Sequence, residues 1–219
     1  MSFWNHPVII AAGIAIIALI TIPLLAYLLM IEWFTVQSST LHCDDLTGLY
    51  DRKALRTQIQ RVLKNLDNTR LRKCGSTVSG AFVIIDLDCF KQVNDTYGHP
   101  SGDQLLAHIS NILKSNIRSS DIIGRLGGDE FIIFLTNIMS PEHVEAKVSE
   151  LSRTVQSSLQ TIPEWNQVTI SVGVALAPRD GREFDLLYQK ADLALYEAKK
   201  AGKNQIMVCG GSHSHGRTN

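Results

Sequence analysis

Ala81-Phe82-Val83-Ile84-Ile85-Asp86-Leu87-Asp88 decides how this chain folds. It is a continuous apolar run that ends in two carboxylates, and such a run reads as a strand buried on both faces. Downstream, Leu105, Leu106, Ile109, Ile112, Leu113 and Ile117 recur at helical spacing. Short strands follow over 121–126 and 131–135, and Gly127-Gly128-Asp129-Glu130 between them marks a tight hairpin. A polar amphipathic helix over 141–159 opens with Ser140 at the N-cap and Pro141 at the first helical position. A strand over 168–177, a helix over 184–201 and a last strand over 204–208 complete the pattern. Upstream, 50–66 carries Leu55, Ile59, Val62 and Leu63 on one helical face, and the basic, polar 69–80 reads as a loop.

The central order β-α-β-β-α-β predicts an α+β fold, a ferredoxin-like (palm-type) split βαβ sheet with flanking helices, over 44–209. Before it, residues 8–31 contain no charged side chain. As a helix they reach roughly 36 Å, enough to cross a hydrocarbon core of about 30 Å. Trp4 flanks one end, with Tyr27 and Trp33 near the other, as interface-seeking side chains do. Pro23 is tolerated in a membrane span. A cleavable signal peptide needs a basic start and a shorter apolar core; residues 1–7 have no Lys or Arg. Arg52, Lys53, Arg56 and Arg61 follow the span, so 1–7 is expected outside and the domain in the cytoplasm. Residues 32–43 read as a connector with no room for a sensor domain. The Gly-, Ser- and His-rich 210–219 reads as a disordered tail, its His213 and His215 solvated.

The 21 basic and 21 acidic residues cancel, which argues against nucleic acid as a partner, since sequence-independent binding rests on a cationic surface. The mean hydropathy of +0.05 is high for a chain with 19% charged residues, because the N-terminal run offsets an ordinary soluble domain. Cys43, Cys74, Cys89 and Cys209 show neither close pairing nor zinc-ligand spacing, and suit a reducing compartment.

The carboxylates carry the chemistry. The topology brings Asp129 and Glu130, on the hairpin, beside the end of the strand that bears Asp86. Three acids there repel one another unless a cation joins them. Hard oxygen donors with space for phosphate favour Mg²⁺ or Mn²⁺, and two such ions can activate a hydroxyl and offset charge on leaving pyrophosphate. Singly, each acid is equally a turn cap or a solvated hairpin residue. Lys91 can pair with a phosphate, and Asn94 can both donate and accept, as a purine edge requires. Gly102-Asp103 opens the next helix; Asp103 is either a first-turn acid favoured by the helix dipole or an acceptor for guanine N1 and N2. Lys199 and Lys203, four apart, share a helix face and are otherwise ordinary C-terminal cations.

Arg125-Leu-Gly127-Gly128-Asp129-Glu130-Phe131 resembles the signature of the GGDEF domains, the diguanylate cyclases. The resemblance continues through Asp44-Asp45-Leu46-Thr47-Gly48-Leu49-Tyr50-Asp51-Arg52, Asp86 to His99, Gly102-Asp103, Ser171-Val-Gly173 and Ala191-Asp192 to Asn204, about three quarters of the chain. It implies that Asp86, the Leu87 carbonyl, Asp129 and Glu130 hold two metal ions per active site. It makes Asp129 and Glu130 catalytic, with Asp129 helping to deprotonate the reacting 3′-hydroxyl. It assigns Lys91, Lys199 and Lys203 to the triphosphate, Asn94 and Asp103 to guanine, and Gly127 and Gly128 to close approach of the nucleotide. Lys203 stands where the family usually has Arg, keeping charge and losing a bidentate fork.

The implied reaction joins two GTP into cyclic di-GMP on two facing domains of a homodimer, at the inner membrane. Arg118-Ser-Ser-Asp121 resembles the family's product-inhibition motif, with Arg118 and Asp121 as the site. The alternative is a catalytically silent receptor for GTP or cyclic di-GMP, which such domains become by losing hairpin acids.

Overall fold

A computed structural model describes residues 7–38, 42–68 and 79–210. The expectations for Trp4, Cys74, His213, His215, most of the 69–80 loop and 211–219 lie outside these residues. The chain divides into two compact units, Met1–Leu41 and His42–Asn219.

The first unit is helix α1, Pro7–Ser38. Its segment Ala11–Ile31 has a mean hydropathy of 2.8 and none of it is buried. Among the described residues it is the one helix long and apolar enough to cross a membrane. The helix does not stop with the apolar run at Ile31 but continues to Ser38, through part of the stretch read as a connector. Nothing between Glu32 and Ser38 breaks it, since that stretch holds neither Gly nor Pro.

The second unit is built on one sheet. Its elements are α2 (Arg52–Asn68), β1 (Gly80–Asp88), α3 (Phe90–Tyr97), α4 (His99–Ser115), β2 (Ile122–Gly127), β3 (Glu130–Thr136), α5 (Pro141–Gln160), β4 (Thr169–Ala177), α6 (Phe184–Lys200) and β5 (Ile206–Val208). Strand order is β2-β3-β1-β4-β5. The first four strands pair antiparallel, which is the split βαβ arrangement, and β5 joins β4 in parallel.

β1 is the central strand, and every one of its residues is buried. Alternation sends Ala81, Val83, Ile85 and Leu87 to one face, against Leu105, Ile109 and Leu113 of α4 and Val148, Leu151 and Val155 of α5. Phe82 and Ile84 face the other way, onto Leu55 and Ile59 of α2 and Leu187, Ala191 and Leu195 of α6. Helices on both faces, rather than parallel neighbours, make the run apolar throughout. At Gly173 a Cβ would collide with the α6 backbone at Ala191 and Leu195, so glycine sets how closely α6 approaches β4.

Two readings need correction. Residues 90–97 form a separate helix, α3, which ends at Gly98 with φ +83°. α4 then begins at His99 with Pro100 in its first turn, so Gly102-Asp103 lies inside the helix rather than opening it. Pro100 was the usable signal, because proline suits a first turn where no N–H is needed. Ser140 does precede α5, but its side chain makes no capping hydrogen bond.

Candidate active site

The carboxyl end of β1 gathers the acids. Asp86 and Glu130 are cross-strand partners in the β1–β3 ladder, on the face covered by α6. Asp86 is buried and Glu130 half-buried. The Leu87 N–H donates to the Asp129 carbonyl at 3.3 Å, tying the hairpin tip to the strand end. Lys199, in the last turn of α6, lies 2.7 Å from Asp86 Oδ2. The sequence reading gave this lysine to phosphate; in the structure it neutralises the acid.

Burial pushes the Asp86 carboxyl above its ordinary range, and the charges of Asp129 and Asp88 add to that, against the pull of Lys199. Glu130 is raised for the same reasons, by burial first and then by Asp86, Asp129 and Asp192. Burial works against the charge of Lys199, yet its bond to Asp86 and the nearby acids keep its ammonium above the ordinary lysine range. The acids thus sense one another, although among the described residues no three His, Cys, Asp or Glu groups converge into a preformed cage. Two raised carboxylates with a cation already drawn onto one of them form a donor set that fits a hard divalent ion.

The hairpin owes its shape to Gly127 (φ +136°) and Gly128 (φ +57°), a conformation side chains resist, and open space lies beyond both. Arg125 fixes it: Nε and Nη2 donate to the Gly128 carbonyl at 3.0 and 2.8 Å. Its Nη1 donates to both oxygens of Asp44 at 3.0 and 3.1 Å. Asp44 also accepts from the Thr47 N–H and hydroxyl. Burial alone would raise its carboxyl, but these donors from Thr47 and Arg125 hold it below the usual range.

Asp88 was quoted in the sequence without a role, and the structure gives it one. Buried, it accepts from Thr169 Oγ1 at 2.8 Å, Ser171 Oγ at 2.9 Å and the Asn204 N–H at 3.1 Å. That last bond pins the turn after α6. α6 ends at Lys200, and Lys203 sits beyond it at φ +64°, so Lys199 and Lys203 do not share a helix face as their spacing suggested. Gly202, with φ +113°, turns the chain out of the helix. Spacing of two along β1 puts Asp88 on the face of Asp86, the signal that could have found it.

Asn94 and Asp103 come from α3 and α4. A Cβ at Gly102 would overlap the Asn94 side-chain oxygen, so this glycine makes the room that the Asn94 side chain occupies. Asp103 and Lys91 are exposed. Arg118 is exposed too, and Asp121 accepts from the Arg118 N–H at 3.0 Å and the Thr136 N–H at 2.9 Å, closing the turn into β2.

A family model for the diguanylate cyclase GGDEF domain matches residues 41–205. The chain belongs to the GGDEF-domain family. This GGDEF chain is 37% identical over 169 residues to the probable diguanylate cyclase DgcC of Escherichia coli strain K12, with 75% of this chain and 42% of that protein aligned. It therefore spans less than half the length of that relative. A sensory box/GGDEF family protein of Caulobacter crescentus CB15 superposes with a TM-score of 0.62 at 33% identity, covering 73% of this chain and 99% of that one. The GGDEF domain of Caulobacter crescentus DgcB, solved in complex with c-di-GMP, gives a TM-score of 0.65 at 25% identity, over 77% and 96% of the two chains.

Proposed function

We propose that this chain is a diguanylate cyclase, condensing two GTP into cyclic di-GMP and two pyrophosphates by nucleotidyl transfer. The observation that carries the reading is the Asp86–Glu130 cross-strand pair, buried against like charge beside Asp129. Asp86, Glu130, Asp129 and the Leu87 carbonyl would hold Mg²⁺ or Mn²⁺, two per active site. When bound, the metal would lower the pKa of the attacking hydroxyl and offset charge on the leaving pyrophosphate.

The chain's own residues supply the rest. Asp129 sits at the reacting 3′-hydroxyl. Lys91, Lys199 and Lys203 hold the triphosphate, with Lys199 placed between the phosphates and Asp86. Asn94 and Asp103 read guanine, and Gly127 and Gly128 leave the nucleotide free access to the hairpin backbone. Positioning and electrostatics provide the rate.

One domain holds one GTP, so two face each other in a homodimer. α1 anchors the chain as a single pass in the inner membrane, with residues 1–7 outside and the domain cytoplasmic. Arg118 and Asp121 form a product-inhibition site, with Arg118 making the contact. The second reading, a silent receptor for GTP or cyclic di-GMP, draws on Lys203, which cannot offer the bidentate grip of arginine.

The test incubates the full chain in detergent and in liposomes with GTP and Mg²⁺, beside Asp129→Ala and Glu130→Ala, and follows nucleotides by chromatography. Cyclic di-GMP from the wild type alone supports the cyclase. Retained binding with no product in either setting sinks it in favour of the receptor.

A further inference from the structure

α2 concentrates positive charge in a chain that is neutral overall. Residues Arg52–Asn68 hold Arg52, Lys53, Arg56, Arg61 and Lys64 against one acid, Asp67, while the whole chain balances 21 basic against 21 acidic residues. The apolar side of α2 is used up on the sheet, where Ala54, Leu55, Ile59 and Leu63 are buried. Lys53, Arg61 and Lys64 fall on one outward stripe of the helix, and they and Arg52 are exposed. Asp185 takes both Arg56 nitrogens and neutralises that cation. Among the described residues no ion pair engages Arg52, Lys53, Arg61 or Lys64.

A cationic helix face by itself is only a solvated face. Here covalent connectivity supplies a partner. The Asp51 N–H donates to the His42 carbonyl at 3.0 Å, so α2 starts where the chain enters the domain. Between Ile31, the last residue of the apolar stretch, and His42 stand the helical residues to Ser38 and then 39–41. At about 1.5 Å per helical residue and at most about 3.6 Å per extended one, His42 stays within about 25 Å of the end of that stretch.

We infer that Lys53, Arg61 and Lys64, with Arg52 beside them, bind the anionic headgroups of the bilayer that α1 spans. The inference rests on α1 being a membrane span. Positive charges next to a span are drawn to an anionic leaflet, and the attraction fades within about 8 Å at physiological salt. Binding of this kind therefore requires the stripe to reach the headgroups.

The experiment uses the full chain in nanodiscs of phosphatidylcholine alone or with phosphatidylglycerol, and reads lysine acylation by mass spectrometry. Lys53 and Lys64 react several-fold more slowly in the anionic discs, recover in high salt, and do so while Lys114 and Lys147 keep their rates. Equal rates in both discs overturn the inference, as does a loss shared by every lysine. Protection in both discs overturns it in favour of a second copy on this face. A chain that does not enter discs at all overturns the span, and the inference with it, which separates the two failures.

Discussion

Glu130 faces Asp86 across the β3–β1 ladder, and both carboxyls are raised by burial before any charge is counted. They hold protons more tightly folded than unfolded. The stability they lend is complete below the unfolded carboxylate range, near pH 4, and is lost as pH rises through their raised folded values. At neutral pH the metal-free protein carries that penalty, so Glu130→Gln raises its melting temperature while turnover falls at least about 100-fold. Mg²⁺ raises the melting temperature of the wild type at pH 7, less so as acid protonates the pair, and not that of Glu130→Gln. Calorimetry with and without Mg²⁺ from pH 5 to 8 checks all three. Asp88 belongs to the same scale. Its bond to the Asn204 N–H holds the turn bearing Lys203, so Asp88→Asn raises KM for GTP roughly 10-fold with a smaller change in kcat, a loss of binding shared by ground and transition states.

Among the elements, β1 was legible because a strand with helices on both faces holds apolar residues along most of its length, and its two carboxylates come only at the end. The hairpin was legible from its glycines. α3 was not: its eight residues are too few to show a period, and its start depends on Cys89 adopting φ +65°, which no residue type announces. Nor was the exit of Lys203 from α6, where spacing of four suggested a shared face and Gly202 decided otherwise. Asp86 and Glu130, carried on strands of fixed register, were placed together by the topology, whereas Asp88, Arg125 and Asp44 act through bonds between elements far apart in sequence. Two substitutions probe this level. Phe82 meets Phe184 at 5.2 Å and Tyr188 at 6.4 Å between ring centres on the α6 side, so Phe82→Ala costs about 3–5 kcal/mol in chemical denaturation. Gly102→Ala displaces Asn94 without touching the acids; GTP loses its advantage over ATP in binding by roughly 10-fold, while Mg²⁺ still stabilises the protein.

At the scale of the whole molecule, a single domain offers one hairpin and one set of lysines proposed to hold triphosphate, yet the proposed product needs two reciprocal bonds. An isologous dimer answers that need, each half presenting its nucleotide to the other. Poisoning tests it without any structure of the dimer. Glu130→Ala keeps the domain surface and α1 but removes one of the acids proposed to hold metal, so a mixed dimer completes at most one of the two bonds. If subunits exchange freely, an equal amount of this variant leaves about half of the wild-type subunits paired with wild type, and a ninefold excess leaves about one tenth. Cyclic di-GMP output per wild-type chain in liposomes follows those fractions, and the linear intermediate accumulates in their place. Output that ignores the variant means that one chain completes the ring or that dimers do not exchange. Adding the variant before reconstitution, so that pairing is random from the start, removes the second explanation and leaves the first, which the dimeric mechanism does not survive.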